Sequence, residues 1–186
     1  SDWMFSFFGV GDREVRTLRK LPWAKLLSLL SLVALPSRSA EMIAATVSHC
    51  FGLEKVMVQE LEERRVEISD TQRCCLGRRN TTLGADAVTG MCVLSFDSKI
   101  ALAFFELDFD RYCALLPNGA LHAQVLELMD LLLHGPLAID FVLGLQKEHV
   151  PLFTLGQEQS ARLGWSSFLS GAGKHERREA RIKARG

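Results

Sequence analysis

Catalysis in this chain would have to come from five histidines (His49, His122, His134, His149, His175), five cysteines (Cys50, Cys74, Cys75, Cys92, Cys113) and scattered carboxylates. A zinc-type site needs several such ligands at short, set spacings. Neither His-x-x-x-His nor Cys-x-x-Cys occurs, and His49 and Cys50, adjacent on one helical segment, project in different directions. No metal and no cofactor are expected. A cysteine nucleophile needs a thiol activated by an electropositive setting. Cys50, Cys92 and Cys113 sit in apolar stretches that favour inert packing, whereas Cys74 and Cys75 lie beside Arg73, Arg78 and Arg79. That pair defines the alternative reading, a small cytosolic redox-active or thiol-dependent protein. As neighbours their Cα atoms are ~3.8 Å apart, below the ~4.4–6.8 Å of an ordinary disulfide. Reduced thiols and a cytosolic location follow. Glu106, Asp108 and Asp110 fall at a strand-to-helix junction, where capping accounts for at least one of them, and no glycine-rich phosphate loop is present. The expectation is a protein that is not an enzyme.

The elements that would position these groups read as follows. Pro22 suits the first turn of an apolar helix that must end before Pro36. Only 13 residues separate those prolines, and a helix of that length covers roughly 20 Å against the ~30 Å of a bilayer's hydrocarbon core. A buried helix is expected, not a membrane span. Ser39 caps a second helix with Glu41 in its first turn and Gly52 after its last, and Met42, Ile43, Thr46, Val47 and Cys50 share one face. A strand follows at 54–61, then a charged stretch, then a loop at 69–90 with weak periodicity, the longest in the chain. Two apolar runs around Asp97-Ser98 predict a β-hairpin whose second arm, apolar on both faces, is central or covered. Asp108 caps a short helix stopped by Pro117, and Asn118-Gly119 leads into a helix with a Leu121, Val125, Leu128, Met129, Leu132 stripe. Residues 138–148 alternate, with Ile139, Phe141, Leu143 and Leu145 on one face and Asp140, Gln146 and Glu148 mainly on the other. The class is α+β: a helical N-terminal part, then a small, mostly antiparallel sheet covered by two helices, with extended partner-binding segments. The divisions are 1–52 (arm and two helices), 53–170 (α+β domain) and 171–186 (basic tail).

Formal charge is zero, from 22 Lys and Arg against 22 Asp and Glu, and 48% of residues are hydrophobic. The tail from Lys174 holds six basic and two acidic residues, which leaves the body at a formal −4. Nucleic-acid binding is disfavoured by an acidic body, and the tail reads as a solvated end. What remains is a greasy, charge-balanced chain with an arginine-bearing loop and more apolar surface than one small core needs, the profile of an assembly subunit.

Several ordered stretches resemble the TssG (ImpH/VasB) family of type VI secretion system baseplate proteins: "LPWAKLLSLLSLVALPSRSAEMIAATVSHCFGL", "TTLGADAVTG", "FELDFDRYCALLPNG", "IDFVLGLQKEHVP" and "LGQEQSARLGWSSFL". The resemblance implies a scaffold that joins TssF copies into a wedge, carries TssK trimers on protruding loops and supports assembly of the contractile tail. TssE and the VgrG hub would be baseplate neighbours. It implies a cytoplasmic baseplate docked at the inner-membrane complex, with no cofactor, nucleic acid or membrane insertion. For TssF, the apolar candidates are Trp3, Phe5, Phe7 and Phe8 of the N-terminal arm, Trp23, Leu26, Leu27 and Leu30 of the first helix, and Trp165 and Phe168. The last two could equally close the chain's own core. For TssK, the candidates are Arg73, Arg78 and Arg79 of loop 69–84, which suit an acidic or polar surface.

Overall fold

Ser39 has extended backbone, and its hydroxyl accepts a 3.2 Å hydrogen bond from the Met42 amide, satisfying a donor that the helix cannot. Helix α1 (Ala40–Phe51) starts there and stops where Gly52 adopts a left-handed φ of 62°. The computed structural model describes residues 39–133, 135–149 and 178–185, together with Leu29 and 164–166. After α1 come β1 (Lys55–Gln59), β2 (Arg64–Glu67), β3 (Cys92–Ser95), β4 (Lys99–Leu107), α2 (Phe109–Leu115), α3 (Ala120–Leu132), β5 (Ala138–Leu145), a 3-10 turn (Lys147–His149) and β6 (Arg178–Arg185).

The main sheet runs β1-β4-β5-β6. β1 and β6 pair antiparallel with their neighbours, while β4 and β5 are parallel. A parallel pair needs a crossover, and here α2 and α3 form it. Asp108 caps α2 as expected, accepting from the Arg111 amide at 2.8 Å. Gly119 precedes α3 at a close approach: a Cβ there would lie 2.1 Å from the Ala114 carbonyl oxygen, so only glycine fits without moving backbone.

One sheet face carries the core. Leu102 and Phe104 of β4 and Ile139, Phe141 and Leu143 of β5 pack against Ile43 and Val47 of α1, Tyr112 and Leu115 of α2, and Val125, Leu128, Met129 and Leu132 of α3. The helix stripe is therefore as expected, with Leu121 only half-buried at its edge. Phe104 and Phe141 meet edge-on with centroids 5.4 Å apart. His122 lies edge-on to Phe141 at 5.0 Å, and its Nδ1 is 3.0 Å from the Leu115 carbonyl, so that nitrogen donates. It is a core histidine.

Three local expectations are corrected. The hairpin across Asp97-Ser98 does not form: β3 pairs with β2 in a separate two-stranded ribbon, and both edges of β4 are taken by β1 and β5. The Ser95 hydroxyl bonds the Asp97 carboxylate at 2.6 Å and meets the Ser98 hydroxyl at 2.7 Å, making a corner between two sheets. That bond also holds the Asp97 carboxyl below its usual range. The charged stretch after β1 hides β2, a strand whose polar residues are tolerated because it lies outside the main sheet.

The second correction concerns the C-terminal segment, which is not a solvated tail at 178–185. It forms β6 and buries Ile182 beside Phe141. Third, β5 is buried on both faces. Asp140, on the polar face of the alternation, is only 4% exposed, with Oδ2 lying 2.8 Å from Lys99 Nζ and 2.9 Å from Arg181 Nε. Arg181 continues to Glu62 at 2.6 Å, so the charges join β4, β5, β6 and the segment before β2. Arg185 ties β6 further to Asp130 and to the Leu137 carbonyl. The tail's regular charges are spaced by Ala180, Ile182 and Ala184, and that alternation is what lets it add as an edge strand.

Tyr112 is fully buried, and its hydroxyl donates to the Trp165 carbonyl. Burial pushes this phenol up to about 12. An acid whose folded pKa is raised keeps its proton when the unfolded chain has lost it, so stability drops as pH climbs from about 10 to about 12. Tyr112 is the only tyrosine in the chain. Absorbance at 295 nm is therefore expected to rise with a midpoint near 12 or together with unfolding, and a reversible midpoint near 10 in the folded protein would contradict this burial.

Candidate partner-docking surface

The β2–β3 ribbon stands apart from the main sheet. Its pairs are Arg64↔Ser95, Arg65↔Leu94, Val66↔Val93 and Glu67↔Cys92. Directly paired residues share a face and consecutive ones do not, so Arg65, Glu67, Cys92 and Leu94 form one face, with Arg64, Val66, Val93 and Ser95 on the other. An isolated two-stranded ribbon is marginal in water, and this one is further stabilised by what its loop folds back. The Ile68 amide bonds the Met91 carbonyl at 2.9 Å, and the Cys74 amide bonds the Val88 carbonyl at 2.9 Å.

Two turns form the far end. Cys75 and Arg79 bridge around Leu76-Gly77-Arg78, with Gly77 at φ 72°. Thr82 accepts from three following amides, while its own amide donates to Asp86 Oδ1 at 2.8 Å, around Leu83-Gly84 with Gly84 at φ 84°. Positive φ favours glycine, and each glycine holds the preceding leucine at a turn apex. Leu76 and Leu83 are 91% and 93% exposed. Among the described residues nine large hydrophobic side chains are exposed, and eight lie between 61 and 96.

The three arginines of the loop have different surroundings. Arg73 pairs with Asp70 at 2.7 Å, and the Arg79 guanidinium donates to the Asp70 carbonyl, so both brace the loop on itself. Arg78 is exposed at the apex beside Leu76. Asn80 also braces, donating to the Thr71 and Arg73 carbonyls at 2.8 and 3.1 Å. On the Val93 side the loop leaves a concavity of about 460 Å³ lined by the apolar Ile68, Val88 and Val93 and the polar Thr71, Gln72, Asn80 and Asp86.

Trp165 is half-buried against the core, and its backbone is held by Tyr112. Leu29 is fully buried in the same core. Trp3, Phe5, Phe7, Phe8, Trp23, Leu26, Leu27, Leu30 and Phe168 lie outside the described residues. None of the five cysteines forms a disulfide among the described residues, and Cys74 and Cys75 are half-buried within the loop's backbone bonds. Among the described residues no three His, Cys, Asp or Glu side chains gather as a metal site, and no helix is long and apolar enough to cross a membrane.

Sequence reasoning passed over Leu76 and Leu83, although the repeated Leu-Gly of "CCLGRRNTTLGAD" carried a signal. A leucine just before a turn glycine in a polar segment has no helical or strand face to bury it.

A family model described as type VI secretion, TssG, matches residues 1–170. The chain belongs to the TssG family. Two solved structures share its fold. One is described as the type VI secretion system TssK-TssF-TssG baseplate subcomplex seen by cryo-electron microscopy; the match has 19% identity and a TM-score of 0.77, over 98% of this chain and 77% of that one. The other is described as the baseplate complex from the type VI secretion system, with 20% identity and a TM-score of 0.57, over 86% of this chain and 45% of that one. No curated protein matches. All of β6 lies past the stretch matched by the TssG model, yet it forms an edge of the main sheet.

Proposed function

We propose that this TssG-family chain is a non-enzymatic scaffold subunit of the type VI secretion baseplate wedge, joining TssF copies and docking TssK trimers. One observation carries it: exposed apolar side chains concentrate on a ribbon outside the core. A soluble chain gains nothing by exposing such a patch unless a partner covers it. The TssK-TssF-TssG subcomplex supports the choice of partners.

In this reading the ribbon and its loop meet TssK. Leu76 and Leu83 provide apolar anchorage, Arg78 meets an acidic group, and Arg73 and Arg79 hold the loop in shape. The N-terminal aromatics Trp3, Phe5, Phe7 and Phe8, with Trp23, Leu26, Leu27, Leu30 and Phe168, are assigned to TssF. Trp165, half-buried against the core, is assigned to TssF as well. The site of action is the cytoplasmic baseplate docked at the inner-membrane complex, with TssE and the VgrG hub as neighbours.

The test is co-expression with and without TssF, followed by size-exclusion chromatography with mass determination. A soluble hetero-oligomer formed with TssF, which then captures TssK, is the expected result. A well-behaved monomer that ignores both partners would sink the reading.

A further inference from the structure

Among the described residues, every hydrogen bond or ion pair that joins residues 61–97 to the rest of the chain falls at the foot of the ribbon. β2 packs along β3, and neither packs along a described helix or a strand of the main sheet. A unit attached in this way takes its direction from its foot, where a few residues can absorb a rotation. The foot has two sides. After β3, Asp97-Ser98 turns the corner, with the Ser95 and Ser98 hydroxyls 2.7 Å apart and the Ser98 carbonyl accepting from the Ala138 amide at 2.9 Å. Before β2, the chain bends at Leu61, whose φ of 57° is outside strand geometry. Two bonds beside that bend are long: the Glu62 amide to the Lys99 carbonyl at 3.3 Å, and Lys99 Nζ to the Glu63 carbonyl at 3.4 Å.

The short contact comes from the other end of the chain. Arg181 of β6 donates through Nη2 to Glu62 Oε2 at 2.6 Å, across 119 residues of sequence. Arg181 is itself held, because its Nε donates to Asp140 Oδ2 at 2.9 Å. The Asp140 side chain is 5% exposed and also engages Lys99, so it is fixed inside the main sheet. One planar guanidinium therefore links a carboxylate of the sheet to a carboxylate on the ribbon side of the bend, and its rigid fork sets both directions at once.

We propose that Arg181 is a positioning residue that sets the angle of the β2–β3 ribbon against the main sheet, by clamping Glu62 to the buried Asp140. This rests on the reading of the ribbon as the TssK-docking element and adds what aims that element before a partner arrives. A ribbon held at one angle has less orientational freedom to lose on binding. The lever is long: at ~3.3 Å per residue the stretch from Glu62 to Glu67 reaches about 17 Å, so each 10° of swing carries the ribbon's end by about 3 Å.

The experiment uses the full chain with nitroxides on bio-orthogonal amino acids, which leaves the cysteines unmodified. One label replaces Thr81 near the ribbon's end and the other replaces Glu41 of α1 or Asp110 of α2, all three exposed. Double electron–electron resonance should give one narrow distance from each pair. Glu62→Ala and Arg181→Ala should each broaden or shift both distances by about 3–6 Å, a swing of about 10–20° on that lever. Glu62→Gln, which keeps an acceptor for Arg181, should stay closer to the parent. Glu62→Ala leaves Arg181 on Asp140, so hydrogen exchange at 178–185 should not change. Nor should it change at the Ile68 and Cys74 amides, which close the ribbon's own loop. TssK capture by Glu62→Ala should weaken about two- to tenfold, as when only a half to a tenth of the ribbons keep the binding angle. Unchanged distances in either alanine variant overturn the clamp. Broadening that comes with faster exchange at Ile68 and Cys74 overturns it too, because the ribbon has then melted instead of swung. Distances that respond as expected, in a chain whose parent form captures no TssK, overturn the docking reading and leave the clamp standing.

Discussion

Replacing Asp140 with alanine is expected to lower the melting temperature by about 10 °C or more. Removing one partner from a buried ion pair costs ~3–5 kcal/mol, because the remaining charge is stranded, and each kcal/mol is worth ~2–4 °C in a chain of this size. Lys99 is the residue stranded: its side chain is largely buried, and its Nζ lies 2.8 Å from Asp140 Oδ2. Arg181 contributes less, since it is nearly half exposed and keeps Glu62. The loss should also be regional. Among the described side chains of β6 only Ile182 is fully buried, with Ala180 and Ala184 half-buried beside it, so its hold on β5 leans on the charges of Arg181 and Arg185. Hydrogen exchange should speed up first at residues 178–185. The double replacement Asp140→Leu with Lys99→Met should recover most of the stability, because two buried charges are removed together. Thermal melts of the four variants in that cycle decide it: additive losses would mean the pair is not coupled.

The second large effect concerns binding. Leu76→Ser with Leu83→Ser is expected to weaken TssK capture by about 100-fold, since fully burying one leucine is worth ~1.5–3 kcal/mol. Arg78→Ala should cost tenfold at most, because an ion pair at an interface rim contributes ~1 kcal/mol or less. The leucines therefore decide over the arginine. Stability should stay within ~0.5 kcal/mol of the parent, as for other surface changes, because both side chains touch almost nothing in the chain itself. Surface plasmon resonance against TssK, with a melt as control, reads both. Unchanged capture by the double variant would remove the loop apex from the interface. Arg73→Ala should act differently: by freeing Asp70 it loosens the loop, so lost binding would come with faster exchange at residues 70–88.

Much of this was legible in the chain alone, because local interactions set it. Ser39 and Asp108 cap their helices with their own side chains, Gly52 ends α1 through its freedom at positive φ, and the α3 stripe follows from helical period. The ordered TssG-like stretches carried the family. Partners of strands were not legible, because pairing joins residues far apart and the turn at Asp97-Ser98 looks the same whether its flanks pair together or part to two sheets. Nor could charge pattern say that Asp140 lies inside. Only the arrival of Arg181, 41 residues later, and of Lys99 from β4 makes a carboxylate tolerable there. Sequence also ranked the arginines of loop 69–84 above its leucines, since a leucine is ordinarily buried. Its exposure is a property of the whole fold, which left residues 61–96 outside the core and so determined which side chains remain for a partner.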